Sequence, residues 1–590
     1  MQWGVIVNLV RAIKLCLWGG AMGTLCLAGL IMPAEAQSIP AADLPTIKSQ
    51  QNQIQRRHDD DIREREAERR KAIDTPPNGM ETPKVEVPEG LEDGQCVDIQ
   101  TFDVQGAELM DADLLTVMTG EYAGRCLTLE QINTLLADIS NWYLDRGYVT
   151  TKAYLPPQDL TTGTLQIVVI EGRVEDIRFS PGQDERNRLR TAFPGREGDV
   201  LNIRDLEQGL DQLNRLPSNN AKLKLEPGGK TGETVVLIEN QQSRRMRLTL
   251  TEDTTGSRST GVRQRTAEVE VDDLLGLNDL WSISYETGAT KSDLSGTKSI
   301  SGSLSIPYGY WTFEYSDSWY DYLSLIEATT STYESSGSSR QQDVSAEYVA
   351  HRDQDSKTSV EGVLTLKQTR NFIEGSLLDM QSRKLSIAAL SLHHTTTVLD
   401  GSLTAEVTYE AGLRAFGAKK DHEVGDGDTR AQFRKWSSDI SYSRSFQVGE
   451  QSFSASTSLS GQWTPHTLYS TERITVGGLT SVRGFKEETL SADVGGYAHT
   501  DLGWVLPATE FAYIDKTFGR FVPYAGLDIG WTQADPYEDG EGGTLAGWAL
   551  GLKTSGGSVT FDIAWAEAIQ RHRSITPKGR ELYSSVSIEF

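Results

Sequence analysis

The feature that most constrains this chain is a long series of short, alternating apolar and polar segments that fills residues 244–590. Helical periodicity is absent from this stretch, and Gly, Ser, Asp and Thr separate the segments. Strands that cross an outer membrane need about 9–11 residues each, so the stretch has room for sixteen strands with turns and loops. We predict a membrane β-barrel of sixteen antiparallel strands. The predicted strands start near Arg247, Val262, Leu280, Lys298, Tyr310, Asp343, Thr358, Lys384, Leu403, Lys435, Ser452, Gly496, Arg520, Gly543, Ser558 and Arg580.

The last predicted strand, LYSSVSIEF, is the strongest local indication of a membrane barrel. Val586, Ile588 and Phe590 alternate there with serine and glutamate. In an outer-membrane barrel the apolar face of such a strand meets lipid, and a terminal aromatic lies at the membrane interface. We therefore interpret these three residues as a C-terminal barrel signal. The alternative is a soluble β-sandwich, against which the number of strands and the N-terminal export signal both argue.

The composition is acidic but compatible with a membrane barrel. The 590 residues include 57 Lys and Arg against 83 Asp and Glu, which gives a net charge of −26. A nucleic-acid partner is not expected, because phosphate binding needs clustered Lys and Arg. A multi-helix membrane protein is excluded by the presence of only one long apolar segment. The mean hydropathy of −0.40 does not exclude a barrel, in which only every second residue faces lipid.

Residues 1–36 have the organisation of a secretory signal peptide. A basic start precedes the apolar segment 15–32, and AEA at 34–36 supplies a cleavage site of the small-x-small type. An uncleaved N-terminal membrane anchor is the alternative. A lipoprotein modified at Cys26 is disfavoured, because Leu25 is too bulky for the position before a lipidated cysteine.

Export would leave two cysteines, Cys96 and Cys126. An even number of cysteines in an exported chain predicts a disulfide in an oxidising compartment. Two free thiols are the alternative. Metal binding is disfavoured because a structural site needs four ligands, and no cluster of His or Cys lies nearby.

Residues 37–94 combine a polar helix with a linker. Segment 47–72 is charged almost all round, so such a helix cannot bury an apolar stripe and must bridge solvent or lie in a wet environment. Within it, we interpret Asp59-Asp60-Asp61 as a solvated or lumen-facing run rather than a metal site. The proline-rich stretch 75–90 predicts an extended linker. A disordered charged arm is the alternative for the helix.

Two small α/β modules follow in tandem, at residues 95–175 and 176–243. The first has the order β-α-α-β-β, and its second helix has apolar residues at helical spacing. Thr128 and Gln131 predict a capping box at the start of that helix. The second module repeats the same order, so we interpret the pair as an internal repeat.

From residue 45 to its end the chain resembles the outer-membrane transporters of two-partner secretion, called TpsB proteins. These include the haemolysin transporter/activator and filamentous-haemagglutinin transporter types, which are relatives of the BamA-like superfamily. The resemblance rests on residues 120–177, on LNRLPSNNAKLKLEPGGKTGET (213–234) and on TGVRQRTAEVEVDDLLGLNDLWSISY (260–285). It implies that the two modules are polypeptide-transport-associated (POTRA) domains and that the polar helix is a plug inside the barrel.

The sharpest motif is VGGLTSVRGF (476–485), between the eleventh and twelfth predicted strands. It resembles the family's inward-folded loop, which we assign to residues 464–494. The resemblance implies that Arg483 lies in the lumen and pairs with Asp528, because a buried guanidinium needs a carboxylate partner. A solvated loop arginine is the alternative. The predicted loop-lock motif consists of Val482, Arg483, Gly484, Phe485 and Asp528.

The neighbours of Arg483 have their own expected roles. Gly484 would allow a tight turn, and Phe485 would pack against the inner wall. The twelfth predicted strand, GGYAHTDL at 495–502, departs from the family pattern of Arg-Asn-acidic-Leu. His499 and Thr500 replace the first two residues, so contacts from this strand to the lumen are not assured by the resemblance.

The resemblance implies a translocase in the bacterial outer membrane, with POTRA domains in the periplasm and a porin-like channel. It would capture an unfolded exoprotein and secrete it to the cell surface by two-partner, type V secretion. The expected partner is a β-helical haemolysin- or adhesin-like exoprotein, recognised through its N-terminal secretion domain. Outer-membrane lipid and, during biogenesis, the barrel-assembly machinery are further expected partners. The resemblance leaves open whether transport also activates the exoprotein.

Other functions fit the sequence less well. An assembly factor that inserts other barrels is the main alternative, but two POTRA modules with an N-terminal helix favour secretion. Passive porins lack POTRA modules, and an adhesive barrel would leave residues 95–240 without a purpose. The eight histidines are scattered, and neither HExxH nor GxSxG occurs. We therefore expect no enzyme activity, no catalytic residue, no cofactor and no metal.

Overall fold

The computed structural model describes residues 39–40, 42–73, 84–85, 96–180, 186–289, 295–422, 424–425, 427–534, 542–573, 575 and 580–590. They form a long helix, α1 (Leu44–Ile73), followed by two small modules and a barrel. The predicted signal peptide and most of the proline-rich linker lie outside the described residues. In the part of the chain that is described, no helix combines the length and apolar content needed to cross a membrane.

The first module is a three-stranded sheet covered by two helices. Its central strand pairs in parallel with the first strand of the sheet and antiparallel with the third. The elements are β1 (Cys96–Ile99), β2 (Thr101–Gln105), α2 (Ala112–Gly120), β3 (Arg125–Thr128), α3 (Leu129–Leu144), β4 (Lys152–Tyr154) and β5 (Thr164–Ile170). Helix α3 begins with the predicted capping box, in which Thr128 and Gln131 exchange hydrogen bonds. The short pair β1–β3 was not predicted, because four-residue strands of mixed polarity show no clear period.

The second module repeats this architecture. It contains β6 (Arg173–Phe179), α4 (Arg186–Ala192), α5 (Ile203–Asn214), β7 (Ala221–Pro227) and β8 (Glu233–Asn240). The sheet order is β6-β8-β7, with β6 and β8 parallel and β7 and β8 antiparallel. Strand β6 begins at Arg173, earlier than the predicted module boundary at 176. Leu206 and Leu213 of α5 share a buried core with Val236 and Ile238 of the sheet.

Sixteen long antiparallel strands close the barrel, and its last strand pairs with its first. The wall strands are β9 (Met246–Asp253), β10 (Arg263–Asp272), β11 (Leu280–Ala289), β12 (Gly296–Tyr308), β13 (Trp311–Glu327), β14 (Thr332–Arg352), β15 (Ser356–Ile373), β17 (Arg383–Val398), β18 (Gly401–Gly412), β19 (Arg434–Val448), β20 (Gln451–Trp463), β23 (Gly495–Val505), β24 (Gly519–Thr532), β25 (Gly543–Gly556), β26 (Val559–Gln570) and β27 (Arg580–Glu589). Three short strands lie in its loops: β16 (Ser376–Leu377), β21 (Ile474–Val476) and β22 (Leu490–Ala492).

One strand starts far from its predicted position. The sixth wall strand, β14, begins at Thr332 rather than near Asp343. Residues 332–342 are mostly serine, glutamine and charged residues, so they lack the alternation on which the prediction relied. The backbone nevertheless pairs with β13 along this whole length, and β13, β14 and β15 extend as a tall wall on the extracellular side.

The wall separates an apolar outside from a polar inside. Along β24, Leu527, Ile529 and Trp531 are exposed on the outer surface, while Asp528 between them is buried in the interior. The C-terminal strand follows the same rule, since Val586, Ile588 and Phe590 are exposed. Exposed aliphatic and aromatic side chains on the outside of a closed barrel are the surface that lipid covers.

The second module packs against the periplasmic turns of the barrel. Arg188 of α4 is buried, with its Nε atom 3.1 Å from Asp273 Oδ2, and it donates a hydrogen bond of 3.2 Å to Asn278 Oδ1. Further along the rim, the hydroxyl of Tyr310 donates to Asp205 at 2.5 Å. Burial is the main cause that raises the pKa of Asp205. These polar contacts join the module and the barrel at a buried interface.

Helix α1 lies inside the barrel, with its N-terminal end toward the extracellular rim. At that end Asp43 accepts hydrogen bonds from the backbone of Thr330 at 3.0 Å and from the Tyr333 hydroxyl at 2.8 Å, in and beside the outer turn between β13 and β14. At the other end Arg70 pairs with Glu361, in the periplasmic half of β15. The polar surface that the sequence showed therefore faces a polar lumen.

Candidate functional site

The connection between β20 and β23 folds into the barrel rather than away from it. It spans residues 464–494, and its strands β21 and β22 pair as a small hairpin. At its tip Arg483 is 1% exposed. A buried arginine needs partners for all its donors, and the wall supplies them.

Asp528 on β24 holds the arginine through two parallel bonds. Arg483 Nε and Nη2 donate to Asp528 Oδ2 and Oδ1, each at 2.7 Å. The backbone nitrogen of Arg483 also donates to Asp528 Oδ2, at 3.0 Å. Two-pronged bonds between a guanidinium and a carboxylate are among the strongest polar contacts in proteins and fix the geometry of both groups.

The twelfth wall strand, β23, also contributes to this site. Asp501 Oδ1 lies 2.7 Å from Arg483 Nη1, and the carbonyl of Thr500 accepts from Nη2 at 3.3 Å. His499 lies between the two carboxylates, with Nδ1 3.1 Å from Asp528 Oδ1 and Nε2 3.7 Å from Asp501 Oδ2. The departure from the family pattern thus places a histidine, rather than an arginine, beside Asp528.

Three glycines provide the space for the loop tip. A Cβ atom on Gly526 would collide with the guanidinium of Arg483, and one on Gly547 would collide with the Arg483 carbonyl. Gly484 has a φ of 94°, and a Cβ there would come within 2.8 Å of the backbone of Ala568 and Glu567. Sequence reasoning identified Gly484 but missed Gly526 and Gly547, whose role depends on strands that are distant in sequence.

Apolar contacts also hold the inward loop against the barrel wall. Val482 and Phe485 are almost fully buried and share a cluster with Leu545 of the β25 wall and with Val476 and Leu490 of the hairpin. The five predicted residues of the loop-lock motif therefore lie together in the structure.

Helix α1 occupies the lumen beside this loop. Gln51 Nε2 donates to Ser335 Oγ at 2.8 Å, and Gln55 Nε2 donates to Asn371 Oδ1 at 2.7 Å. On its other side, Asn52 accepts from Ser470 Oγ of the inward loop at 3.0 Å. The helix thus contacts both the wall and the loop, mainly through side chains that can also bind water.

A chain of buried charges crosses the middle of the lumen. Asp59 of α1 is 5% exposed, and its carboxylate lies 2.9 Å from Nζ of Lys367 on β15. Lys367 also approaches Glu472 of the inward loop, at 3.3 Å, and Lys435 on β19 reaches the same glutamate at 3.5 Å. Sequence reasoning interpreted Asp59 as part of a solvated or lumen-facing run and did not identify the two lysines, whose partners lie on elements distant in sequence.

Arginines hold the periplasmic half of the helix. Arg65 Nη2 lies 2.7 Å from Glu286 on β11, and Arg69 and Arg70 pair with Glu314 and Glu361. The end of α1 nearest the periplasm is therefore held by ion pairs. At the extracellular end Ile47 instead packs with Ile326 and Ile373.

The remaining predicted residues lie outside the barrel. The Sγ atoms of Cys96 and Cys126 are bonded to each other, on the neighbouring strands β1 and β3. Among the described residues, no group of three or more His, Cys, Asp or Glu side chains has the arrangement of a metal site.

Three family models match the chain in order. They are "POTRA domain, ShlB-type" over residues 97–172, "POTRA domain" over 173–227 and "Haemolysin secretion/activation protein ShlB/FhaC/HecB" over 232–554. The first POTRA match covers the first α/β module, the second covers the second module up to the end of β7, and the third covers β8 and most of the barrel.

Relatives of similar length agree with this division. Outer membrane transporter CdiB of Dickeya dadantii (strain 3937) is 33% identical over 85% of this chain and 88% of its own length. The CdiB of Escherichia coli is 32% identical over 96% and 93%. Hemolysin transporter protein ShlB of Serratia marcescens is 29% identical over 74% and 76%. The solved structure of CdiB from Escherichia coli covers 92% of this chain and 98% of its own, at 30% identity and a TM-score of 0.83.

The fold and the site define an outer-membrane barrel with two periplasmic POTRA domains and a lumen filled by its own helix and loop. Within that class, the chain belongs to the haemolysin secretion/activation family ShlB/FhaC/HecB. It is an outer-membrane transporter of two-partner secretion. Its relatives are transporters, and this supports secretion over the alternative function of barrel assembly. The family is one of transporters rather than enzymes.

Proposed function

We propose that this transporter captures one unfolded exoprotein in the periplasm and passes it through its own barrel after α1 leaves the lumen. The observation that carries this proposal is the occupied lumen of a closed barrel on the same chain as two POTRA domains. A barrel of sixteen strands encloses an aqueous channel once nothing fills it. Helix α1 therefore acts as a gate, because it fills the only channel that the described strands enclose.

The chemistry of the lumen suits a removable helix. Hydrogen bonds such as those of Gln51 and Gln55, and ion pairs such as that of Arg65, can be exchanged for bonds to water when the helix departs. Inside the barrel, apolar contacts are concentrated at a few positions, among them Ile47 and Ile54. A polar wall also gives an extended polypeptide no large apolar surface to which it would bind tightly.

Capture would use the sheet edges of the POTRA domains. Strand β7 (Ala221–Pro227) is an outer strand of the second sheet, and Lys222 and Lys224 alternate along its exposed side. An extended chain can add to such an edge through backbone hydrogen bonds, which require little sequence specificity. The lysines would favour an acidic or polar segment of the exoprotein.

The partner would be a β-helical haemolysin- or adhesin-like exoprotein that presents an N-terminal secretion domain. Folding of this exoprotein outside the cell would supply the driving force, since a folded β-helix cannot return through the channel. The loop-lock motif would hold residues 464–494 in position during passage. The barrel-assembly machinery would insert the transporter, guided by the strand that ends in Val586, Ile588 and Phe590.

A reversible cross-link tests the gate. Asn52→Cys with Ser470→Cys replaces two side chains whose oxygen atoms are 3.0 Å apart and would join α1 to the inward loop. We expect secretion of the exoprotein to stop under oxidising conditions and to resume when a reductant is added. Each single variant is the control, because it cannot form the cross-link. Normal secretion by a fully cross-linked double variant would contradict the proposed exit of α1.

A second cross-link tests the site of capture. Lys224→Cys on β7 should form a mixed disulfide with a single-cysteine exoprotein whose passage has been stalled. Arg178→Cys lies on β6, the opposite edge of the same sheet, and is the matched control. Cross-linking only at position 178 would move capture to the other edge, and cross-linking at neither position would exclude edge addition in this domain.

A further inference from the structure

The connection between β23 and β24 differs from the other periplasmic turns. Most of these are very short, such as 309–310, 399–400, 449–450 and 557–558. Residues 506–518, here called the rim connector, are much longer and contain the helix α6 (Ala512–Phe518). The turn 273–279 is also long, but the second POTRA domain packs on it through Arg188.

The rim connector is well organised and carries exposed aromatic residues. Thr509 donates to Asp515 from its backbone and its hydroxyl, both at 3.0 Å, which closes the segment on itself. Phe511 is 56% exposed and Tyr513 is 69% exposed, and their rings lie 5.9 Å apart. Two large apolar groups held in water by an ordered segment are costly unless something covers them.

The contacts of Phe518 show on which side of the wall the connector lies. Its ring is 6.2 Å from the rings of both Phe521 and Phe561. Phe521 shares the outward face of β24 with Leu527, and Phe561 pairs across strands with the outward-facing Val586. Helix α6 is therefore seated on the lipid-facing side of the rim, not on the lumen side.

The surface next to the connector is already a membrane interface. At the periplasmic end of the wall, Trp504 is exposed on the outside of β23, and Phe453 opposite it stacks with Phe446 at 5.7 Å. Rings of aromatic residues at this level mark the boundary between the acyl chains and the headgroups. The rim connector lies next to this ring, and its Lys516 is exposed, which supplies a cation of the kind that lipid phosphates attract.

We propose that the rim connector is a membrane anchor, whose Phe511 and Tyr513 insert into the periplasmic leaflet among phospholipid headgroups. Amphipathic segments of this kind lie in the plane of the interface with their apolar side in the acyl region. The connector joins the two strands that carry Asp501 and Asp528. Its seat in the membrane would thus fix the periplasmic end of the hairpin that holds Arg483.

Depth-dependent quenching tests the anchor. Cys96 and Cys126 are joined to each other, so Tyr513→Cys can be labelled selectively with an NBD fluorophore in the full-length mature protein. The protein is reconstituted in vesicles of phosphatidylethanolamine and phosphatidylglycerol. Spin-labelled phospholipids then quench the fluorophore from either a shallow or a deep position of the acyl chain. We expect loss of fluorescence with the shallow quencher, a smaller loss with the deep one, and protection from aqueous iodide.

Two further positions make the result decisive. Leu527→Cys, on the lipid-facing wall, should respond to the deep quencher and shows that the barrel is inserted. Glu450→Cys, in the short turn 449–450, should respond to iodide alone. The proposal is overturned if position 513 behaves like position 450. It is also overturned if position 513 resists both iodide and lipid quenchers, because a protein surface would then cover it.

Discussion

Arg483 shows how a single residue can tie a loop to a wall. Its guanidinium satisfies two carboxylates, Asp528 and Asp501, and is 1% exposed. Charges that are buried together are mutually dependent, because the loss of one leaves the others desolvated and unpaired. The site is therefore sensitive to the removal of either sign of charge.

Arg483→Ala should destabilise the folded barrel by about 3–5 kcal/mol, the usual cost of breaking a buried ion pair by removing one partner. Thermal unfolding followed by the mobility shift of unheated barrels on SDS gels would measure the effect. Adding Asp528→Asn should restore part of the loss, since it removes the orphaned charge. Arg444→Ala removes an arginine that pairs with the exposed Asp400, and should cost no more than about 1 kcal/mol. Equal losses in the two single variants would contradict this account.

Gly526→Ala should reproduce the effect of Arg483→Ala without changing any charge. The added methyl group would occupy the position of the guanidinium and push Arg483 away from Asp528. Gly362→Ala on β15 is the matched control, because a Cβ atom there meets nothing within 4 Å. We expect reduced secretion and a lower unfolding temperature for Gly526→Ala only. If both alanine variants behave like the wild type, the loop tip does not depend on this close approach.

At the scale of elements, α1 is held differently at its two ends. The extracellular end has apolar packing around Ile47 and the hydrogen bonds that Asp43 accepts from Thr330 and Tyr333 of the barrel. The periplasmic end has the ion pairs of Arg65, Arg69 and Arg70 with the wall. Ion pairs at a partly hydrated surface weaken as salt screens them, whereas apolar contacts do not. The periplasmic end should therefore loosen first.

Replacing Arg65, Arg69 and Arg70 with alanine should raise the open fraction of the channel in a planar bilayer. Raising the salt concentration should have the same effect on the wild type and little further effect on the triple variant. Lys48→Ala, which removes an exposed cation from the same helix, is the control and should leave the conductance unchanged. Deletion of residues 44–73 sets the upper limit. An unchanged conductance in this deletion would refute the role of α1 as a plug.

At the scale of the whole molecule, the second POTRA domain is joined to the barrel by a buried polar interface. Arg188 contacts Asp273 and Asn278 of the first periplasmic turn, and Arg215 donates to the carbonyl of Asn278 at 2.5 Å. Such an interface fixes the direction in which the domain presents an extended chain to the lumen. The orientation would be lost if its buried charges lost their partners.

Arg188→Ala should release this domain from the rim. We expect faster cleavage by trypsin at Arg244 and Arg245, which lie in the segment between β8 and β9, because cleavage requires local opening of the chain. Arg196→Ala is the control, since it removes only an exposed contact to the Tyr308 hydroxyl. Unchanged cleavage in Arg188→Ala would show that other contacts are sufficient to hold the domain.

Local patterns in the sequence were sufficient to predict much of this architecture. Alternation with a period of two predicted sixteen strands and the outward face of the last one, because each side chain in a strand takes the opposite side from its neighbour. The capping box at Thr128 and Gln131 fixed the start of α3 for an equally local reason. Alternation failed along residues 332–342, where backbone pairing with β13 and, from Ser335 onward, with β15 extends the strand.

The site was predicted only in part. Arg483 and Asp528 were paired through resemblance to a family, not through any property of their own segments. The roles of Gly526, Gly547, Asp501, Lys367 and Glu472 depend on strands and a loop that are far apart in sequence, and they became visible only in the closed barrel. Where alternation is regular, as in the last strand, the sequence was sufficient to assign the face that meets lipid. The tertiary structure alone decided which lumen side chains meet, because contacts across a barrel depend on its closure and on the course of the inward loop.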